Sequence, residues 1–411
     1  MALQITFRNG TPSQWSSTNP TLSQGEVGTS IDAPSTFKIG DGSTAWNSLA
    51  IAPTASPTQT IPWASLGDGG DGNLTISSGT TTLVRDMFYN NLTINGTGSI
   101  YTNGYRIFVK GILDLSNAPI GAINFNGGNG GNASGSVAGT STSGVPNGSI
   151  GGSLAGGAGG AGSTGVGTAG GASVAGYNGG VSNSSGAGGT NGTNAGAAAA
   201  AGAGSTAVLW VRRWAVNFLR GVTLVLSGSS GRGAGSGGGD GTNLSGAGGA
   251  GGNGGGTVAI YANIVVRSAS TASGAIQANG GNGGNGGNGS VGVVGGGGGG
   301  SGGGGGWVYL AYNYLMGPQV TNFITTDGGM GGNGGDGFGT VNPILSGGSG
   351  GLGGYGGRIT IFNIQTQTGF EHLGDNSIQE NPEVTLGNLS IAPFGSTGGS
   401  GAAPGLSRLT I

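Results

Sequence analysis

Cysteine is absent from this 411-residue chain, which removes disulfides and thiolate metal sites as devices for holding or using the fold. Charge is scarce as well. Asp, Glu, Lys and Arg make up 6% of the residues, against about 25% in an ordinary soluble domain. An ionic surface is therefore excluded, and solubility has to come from Asn, Ser, Thr and exposed backbone. A net charge of −2 creates no field that would recruit nucleic acid or an anionic membrane. No uninterrupted apolar run reaches the roughly 20 residues of a membrane span. The nearest, Ala207 to Leu219, is broken by Arg212 and Arg213. The opening Met1-Ala2-Leu3-Gln4 has neither the basic nor the apolar stretch of a signal peptide. Neither nucleic-acid binding nor membrane insertion is expected.

What is present is glycine. It occurs 106 times, about a quarter of the chain, where roughly 7% is usual. Its distribution divides the sequence. Residues 1–50 have normal composition. The Pro/Thr/Ser stretch at 51–62 reads as a linker. Residues 63–118 hold short strand patterns, such as Leu92-Thr93-Ile94 and Tyr105 to Val109, separated by turn pairs Asn95-Gly96 and Asn103-Gly104, so a small β module is expected there. Residues 119–364 are glycine-rich, and 365–411 form a C-terminal β/loop segment. Between Leu115 and Gly357 the only acidic residues are Asp240, Asp327 and Asp336.

The glycine-rich part repeats. A short apolar strand leads into a GGx run, a loop, a second GGx run and another strand. In the clearest copy, beginning at Ile276, Gly280 to Gly289 reads GGNGGNGGNG, Ser290 to Val294 is the loop, Gly295 to Gly306 is broken only by Ser301, and Trp307 to Tyr314 reads WVYLAYNY. The next begins at Phe323, with GGMGGNGGDG before the loop and GGSGGLGGYGG after it. An earlier copy begins near Leu224, and a longer, looser one at Ile123.

A chain of the polyproline II type has three residues per turn and rises about 3.1 Å per residue. A GGx repeat then puts every x on one edge and leaves two edges of bare backbone, free to approach neighbours and share N–H···O=C bonds. Collagen is excluded, because it needs glycine at one position in three and abundant Pro. A flexible linker does not account for runs bracketed by strands in repeat register; stacked repeats do. The fold expected is all-β plus polyglycine II: short strands bracketing packed, left-handed, three-residue-per-turn glycine helices, with almost no α-helix. If each copy goes out and back, the strands gather at one end and the loops at the other. Loops on a rigid scaffold are where recognition sits, and apolar side chains in exposed loops mark interaction sites. The candidates for contact are Tyr177, Leu244, Val291, Val293, Val294, Phe338, Val341 and Ile344, with Leu352 and Tyr355 on a return run.

Two resemblances follow. Trp15, Asn19-Pro20, Leu22, Gly25-Glu26-Val27-Gly28, Asp32, Phe37-Lys38-Ile39-Gly40-Asp41-Gly42, Trp46 and Leu49 form a pattern that resembles the N-terminal module of phage tropism-determinant and tail-fibre proteins, over about a tenth of the chain. The resemblance implies a small trimeric β element on a fibre, with Trp15, Phe37, Asp41 and Trp46 serving trimer formation and attachment. Residues 120–364 resemble, in pattern, phage tail-tip adhesins built from polyglycine II helices, whose distal loops read a bacterial receptor. Residues 132–203 depart from that pattern, because Ser, Thr, Val and Ala dilute the glycine. Together they imply a homotrimeric receptor-binding protein of a virion tail fibre, assembled in the host cytoplasm, with other tail proteins and a surface glycan or outer-membrane protein as partners. The alternatives are a purely structural fibre or baseplate component and a capsular polysaccharide depolymerase.

Other chemistry finds little support. His372 is the one histidine; with Glu371 and Asp375 beside it, a solvated loop is the simpler reading. Glu371, Asp375, Glu380 and Glu383 could in principle serve a glycosidase without histidine, but form no motif. Gly331 to Gly339 (GGNGGDGFG) matches a calcium nonapeptide with Asp336 as ligand, yet such sites need tandem copies and more carboxylates. Arg212, Arg213 and Arg220 with Trp210 and Trp214 are a weak footprint for nucleic-acid stacking. No catalytic residue, metal or cofactor is expected.

Overall fold

The computed structural model describes residues 8–30, 37–50, 66–145, 148–172, 177–178, 226–339, 347–366, 368–373, 399–404 and 406–411. The chain divides into two compact units, Met1–Trp63 and Ala64–Ile411. Among the described residues it is mostly β-sheet, with a single α-helix.

The first unit has three strands, β1 (Arg8–Gly10), β2 (Val27–Ser30) and β3 (Phe37–Ile39), with helix α1 (Pro12–Thr18) after β1. β2 pairs in parallel with β1 and antiparallel with β3. The helix starts on a capping box: the Thr11 side chain accepts from Gln14 N, the Gln14 side chain accepts from Thr11 N, and Pro12 follows. That arrangement satisfies two of the four orphan N–H groups of a helix start. Trp15, Leu22, Trp46 and Leu49 make the core. The two indoles stack with centroids 3.9 Å apart. A Cβ on Gly28 would run into both rings, and one on Gly40 into Leu22 and the Ser23 carbonyl. Those glycines are the space that the tryptophans and Leu22 occupy.

The second unit winds between two sheets. Its strands begin with β4 (Asn73–Ile76), β5 (Thr80–Thr82), β6 (Met87–Tyr89), β7 (Asn91–Ile94), β8 (Ser99–Tyr101), β9 (Arg106–Asp114) and β10 (Ile123–Asn124). A short pair follows, β11 (Tyr177–Asn178) with β12 (Leu226–Ser227). Then come β13 (Thr257–Val266), β14 (Ile276–Gln277), β15 (Trp307–Met316), β16 (Ile324–Thr325), β17 (Arg358–Asn363), β18 (Thr368–Leu373) and β19 (Arg408–Leu409). One sheet has the order β4-β7-β9-β13-β15-β17-β18, and the other β5-β8-β10-β14-β16-β19. Both orders follow the chain. All of these pairings are parallel except the last in each sheet, where β18 and β19 return antiparallel. Apart from β6, which also pairs in parallel with β9, and β18, which follows β17 on the same sheet, the chain coils, laying strands alternately on the two sheets.

Alternation inside the strands builds the core. Val258, Ile260, Val308, Leu310 and Ile359 of the first sheet pack with Ile100, Ile123, Ile276 and Ile324 of the second. Residues of opposite parity, Tyr261, Trp307 and Tyr309, bury the outer face of the first sheet with Phe108 and Leu66. Strands buried on both faces read as continuous apolar runs, which is why WVYLAY stood out in the sequence. The expected separation of 63–118 from the glycine-rich part is corrected here. β9 pairs with β13 over seven residue pairs, so the small β module forms the first coils of the same stack.

Glycine runs are inserted between coils. Leaving β10, β14 and β16, the chain runs out through 126–133, 278–289 and 327–337; through 246–256, 295–306 and 347–357 it comes back to β13, β15 and β17. Neighbouring outward runs are parallel: Gly280, Gly283, Gly286 and Gly289 donate to the carbonyls of Asp327, Met330, Asn333 and Asp336. Outward and return runs are antiparallel and form two layers. Residues 154–162 and 228–238 add a third, in which Gly157 and Gly160 donate to Gly231 and Ala234. The four copies read from the sequence, the first of them longer and looser, are three coils with excursions, the first long enough to build a layer of its own.

The fully buried run 295–306 reveals the bonding rule. Gly295, Gly298, Ser301 and Gly304 donate to one neighbour, at Gly238, Gly235, Arg232 and Ser229. Gly297, Gly300, Gly303 and Gly306 donate to a second, at Gly287, Gly284, Gly281 and Ala278. Gly299, Gly302 and Gly305 donate to a third, at Ser349, Leu352 and Tyr355. All of these bonds measure 2.7–3.0 Å. Three successive residues aim at three directions, and then the cycle repeats. A strand, with its period of two, cannot do this.

In the outer layer one N–H of each triplet meets no further run. Asn closes that account. Asn129 and Asn132 Oδ1 accept from Asn282 and Asn285 N, Asn282 and Asn285 Oδ1 accept from Met330 and Asn333 N, and Asn333 Oδ1 accepts from Gly401 N, all at 2.8–2.9 Å. At these Asn positions the x of GGx supplies the acceptor.

A Cβ on Gly300 or Gly303 would land on the carbonyl oxygen of Ala250 or Asn253. Gly300→Ala is expected to destabilise the second unit by about 1–3 kcal/mol or more, read as a lowered denaturation midpoint. Met330→Ala, at an exposed position, should stay within about 0.5 kcal/mol of the parent.

Candidate functional site

The loops joining outward and return runs come together at the end away from the sheets. Gly239 and Gly241 donate to Gly165 and Thr164, Ser163 N to Ser245 Oγ, and Gly162 to Ser136. Val294 and Phe338 exchange backbone bonds of 2.8 and 2.9 Å. Asp240 ties two of these loops. Its carboxylate accepts from Thr242 N, Asn243 N and Asn243 Nδ2 in its own loop and from Val293 N in the next, at 2.6–2.9 Å. Those donors, the Asn243 side chain first, hold the carboxyl well below the usual carboxylate range. Asp240-Gly241-Thr242-Asn243 is an Asx turn, and the sequence carried that signal.

Four apolar side chains of this cluster face solvent. Val137 is 67% exposed, Val166 64%, Val291 59% and Leu244 48%. Leu244 and Val291 were read from the sequence; Val137 and Val166 were missed, being single valines in Ser/Gly/Thr stretches with no pattern around them. Val293 is half-buried, its N–H held by Asp240. Val294 is fully buried, so its place among exposed contact residues is corrected: it seals the end of the layers against Phe338, itself half-buried. Leu352 and Tyr355 are also half-buried, and their carbonyls serve Gly302 and Gly305. Tyr355 lies immediately ahead of β17, at the strand end of its run, so it too is corrected away from the tip. Tyr177 is in β11, with only its backbone described, and Val341 and Ile344 lie outside the described residues, as do Arg212, Trp210 and Trp214.

In the first unit, Trp15 and Trp46 are buried in its core and serve the fold of the unit itself. Phe37 is half-buried, and exposed Asp41 accepts from Ser43 N, Thr44 N and Thr44 Oγ1 across its turn. Lys38 lies over the Trp46 ring, 5.0 Å from its centre, and donates to the Trp46 carbonyl.

Among the described residues no group of three or more His, Asp or Glu could hold a metal ion, and no helix is long and apolar enough to cross a membrane. Asp336 gives its N–H to Asn288 Oδ1. Glu371 and His372 are in β18, paired with Thr360 and Ile359, while Asp375, Glu380 and Glu383 lie outside the described residues. Comparison with protein-family models, curated proteins and solved structures finds no match.

Removing the Asp240 carboxylate should free the tie between loops. Asp240→Ala is expected to speed hydrogen exchange at the Val293 and Asn243 amides by roughly tenfold or more. The folded-state pKa is lowered, so the tie holds above the range of the unfolded carboxylate, about pH 4. It is lost only as pH falls towards the folded value. The Val293 amide shift should therefore stay flat from neutral pH down to about pH 4.

Proposed function

We propose that this chain is the receptor-binding protein of a bacteriophage tail fibre. Residues 1–50 would serve a homotrimeric attachment module that joins it to other virion proteins. The glycine runs form a polyglycine II sandwich whose loops read a bacterial surface receptor, a glycan or an outer-membrane protein. The observation that carries the reading is the tip itself. Loops from separate coils are brought to one end of an ordered scaffold, bonded to one another, and left with Val137, Val166, Leu244 and Val291 exposed. Apolar side chains grouped on a surface with so little charge favour a partner contact. The three-direction donation along 295–306 supports the polyglycine II assignment, since three residues per turn is its period.

Purified full-length chain, incubated with host cells, should block adsorption of the phage that carries it. Leu244→Ser with Val291→Ser should weaken that block by roughly tenfold or more without changing the melting temperature. Absence of any block by the folded parent would return the chain to a structural role in the tail.

A further inference from the structure

The outer glycine layer holds a second surface, distinct from the loop tip. A trough of about 600 Å3 crosses four neighbouring runs of that layer. One rim is formed by Asn129, Asn282 and Met330, and the other by Asn132, Asn285 and Asn333. Between the rims the floor is Gly130, Gly283, Gly331 and Ala402. Successive rim residues on one run are a turn apart, so the rims stand about 9 Å from each other. Adjacent hydrogen-bonded runs repeat along the trough at about 5 Å.

The chemistry of the rims is one-sided. Each rim Asn except Asn129 and Asn132 uses both its own N–H and its Oδ1 in the ladder; those two contribute Oδ1 alone. With Oδ1 engaged, the amide is fixed and its Nδ2 is the part left over. None of these Nδ2 groups has a protein acceptor among the described residues. The trough therefore presents rigid rows of neutral donors above a floor of glycine methylenes, with the methyl groups of Ala402 and Ala403 on its last run. Among the described residues no carboxylate, guanidinium or ammonium lines it. Met330, 52% exposed, adds a soft apolar contact on one rim.

We infer that this trough binds a linear, uncharged glycan lying across the glycine runs. Hydroxyl, ring and acetamido oxygens supply acceptors for the amide rows, and the C–H faces of the sugar rings rest on the floor. An anionic polymer finds no counter-charge there, and a compact ligand would use only a fraction of the length. The need for donors fixed in advance is met without extra ordering cost, because the ladder already immobilises each amide.

Replacing Asn by Asp gives a clean test. Asp keeps the oxygen that accepts the next run's N–H and loses the outward NH2. Full-length protein is titrated with neutral oligomers of N-acetylglucosamine, mannose and glucose, and with hyaluronan oligomers as the anionic control, by calorimetry. The parent should bind at least one neutral series and not the anionic one. Asn282→Asp with Asn285→Asp should weaken this binding by roughly tenfold or more, while Met330 and Asn333 amides stay protected from exchange. The tip variant Leu244→Ser with Val291→Ser should bind the oligomers as the parent does, so failure at the tip and failure at the trough are separable. Binding that survives the double Asp change, a preference for the anionic series, or no binding of any neutral series by the folded parent would each overturn the inference.

Discussion

The contact on which everything else depends is a peptide N–H meeting a peptide C=O across a gap that no Cβ could share. In most domains side chains fill the space between backbones and hydrogen bonds follow. Here the backbones touch in three directions, and at Gly300 and Gly303 even a methyl group would displace a carbonyl oxygen of the neighbouring run. Ordering glycine costs more conformational entropy than ordering any other residue, on the order of 1–2 kcal/mol per residue for the backbone alone. That cost is offset only when nearly every N–H finds a partner, which explains why the unpaired N–H of the outer layer is met by an Asn side chain. A GGx run without neighbours on several sides would have no reason to be ordered. The coiled sheets supply those neighbours, by holding β10, β14 and β16 side by side and so launching their runs in register.

The layout of the candidate site follows from the same coiling. Each excursion leaves one sheet and returns to the other, so its turning point is forced to the far end. Equal excursions bring the turning points level: paired Asn313 and Asn263 are 50 residues apart on the return strands, and paired Asp327 and Asn279 are 48 apart on the outward side. Small loops made level in this way can be bonded to one another, as Val294 bonds to Phe338. They present apolar side chains without the support of a hydrophobic core beneath them.

Much of this was legible in the sequence, for identifiable reasons. Strands such as WVYLAYNY and RITIFNI announce themselves because both faces are buried. The out-and-back order of the runs could be read from the loop at Ser290 to Val294, and the all-β character from the turn pairs. Sheet membership could not be read. Nothing local in Ile107 or Val109 states that β9 will pair with β13 across more than a hundred residues, so the first coils looked like a separate module. Helix α1 was readable in Thr11-Pro12-Ser13-Gln14, but the run of Ser and Thr after it masks a helix of two turns. At the tip, sequence pointed to Leu244 and Val291 through their place in loops. It could not tell that Val294, three residues on, turns inward, since a loop has no period from which to infer a face. The second ligand in each Asn, its Oδ1, was invisible because triplet spacing says where a side chain lies and not which atom of the next run it reaches.

Burial in the glycine layers differs in kind from burial between the sheets. What leaves water at 295–306 is almost wholly peptide group, with Ser301 as the one side chain, whereas Ile260, Leu310 and their neighbours take hydrocarbon out of water. Exposing hydrocarbon raises the heat capacity of the unfolded chain, and exposing peptide lowers it. The two contributions oppose each other within one cooperative unit. The free energy of such a unit bends less with temperature than that of an oil-cored domain of equal length, and its layers hold through hydrogen-bond enthalpy, a term that does not fade on cooling.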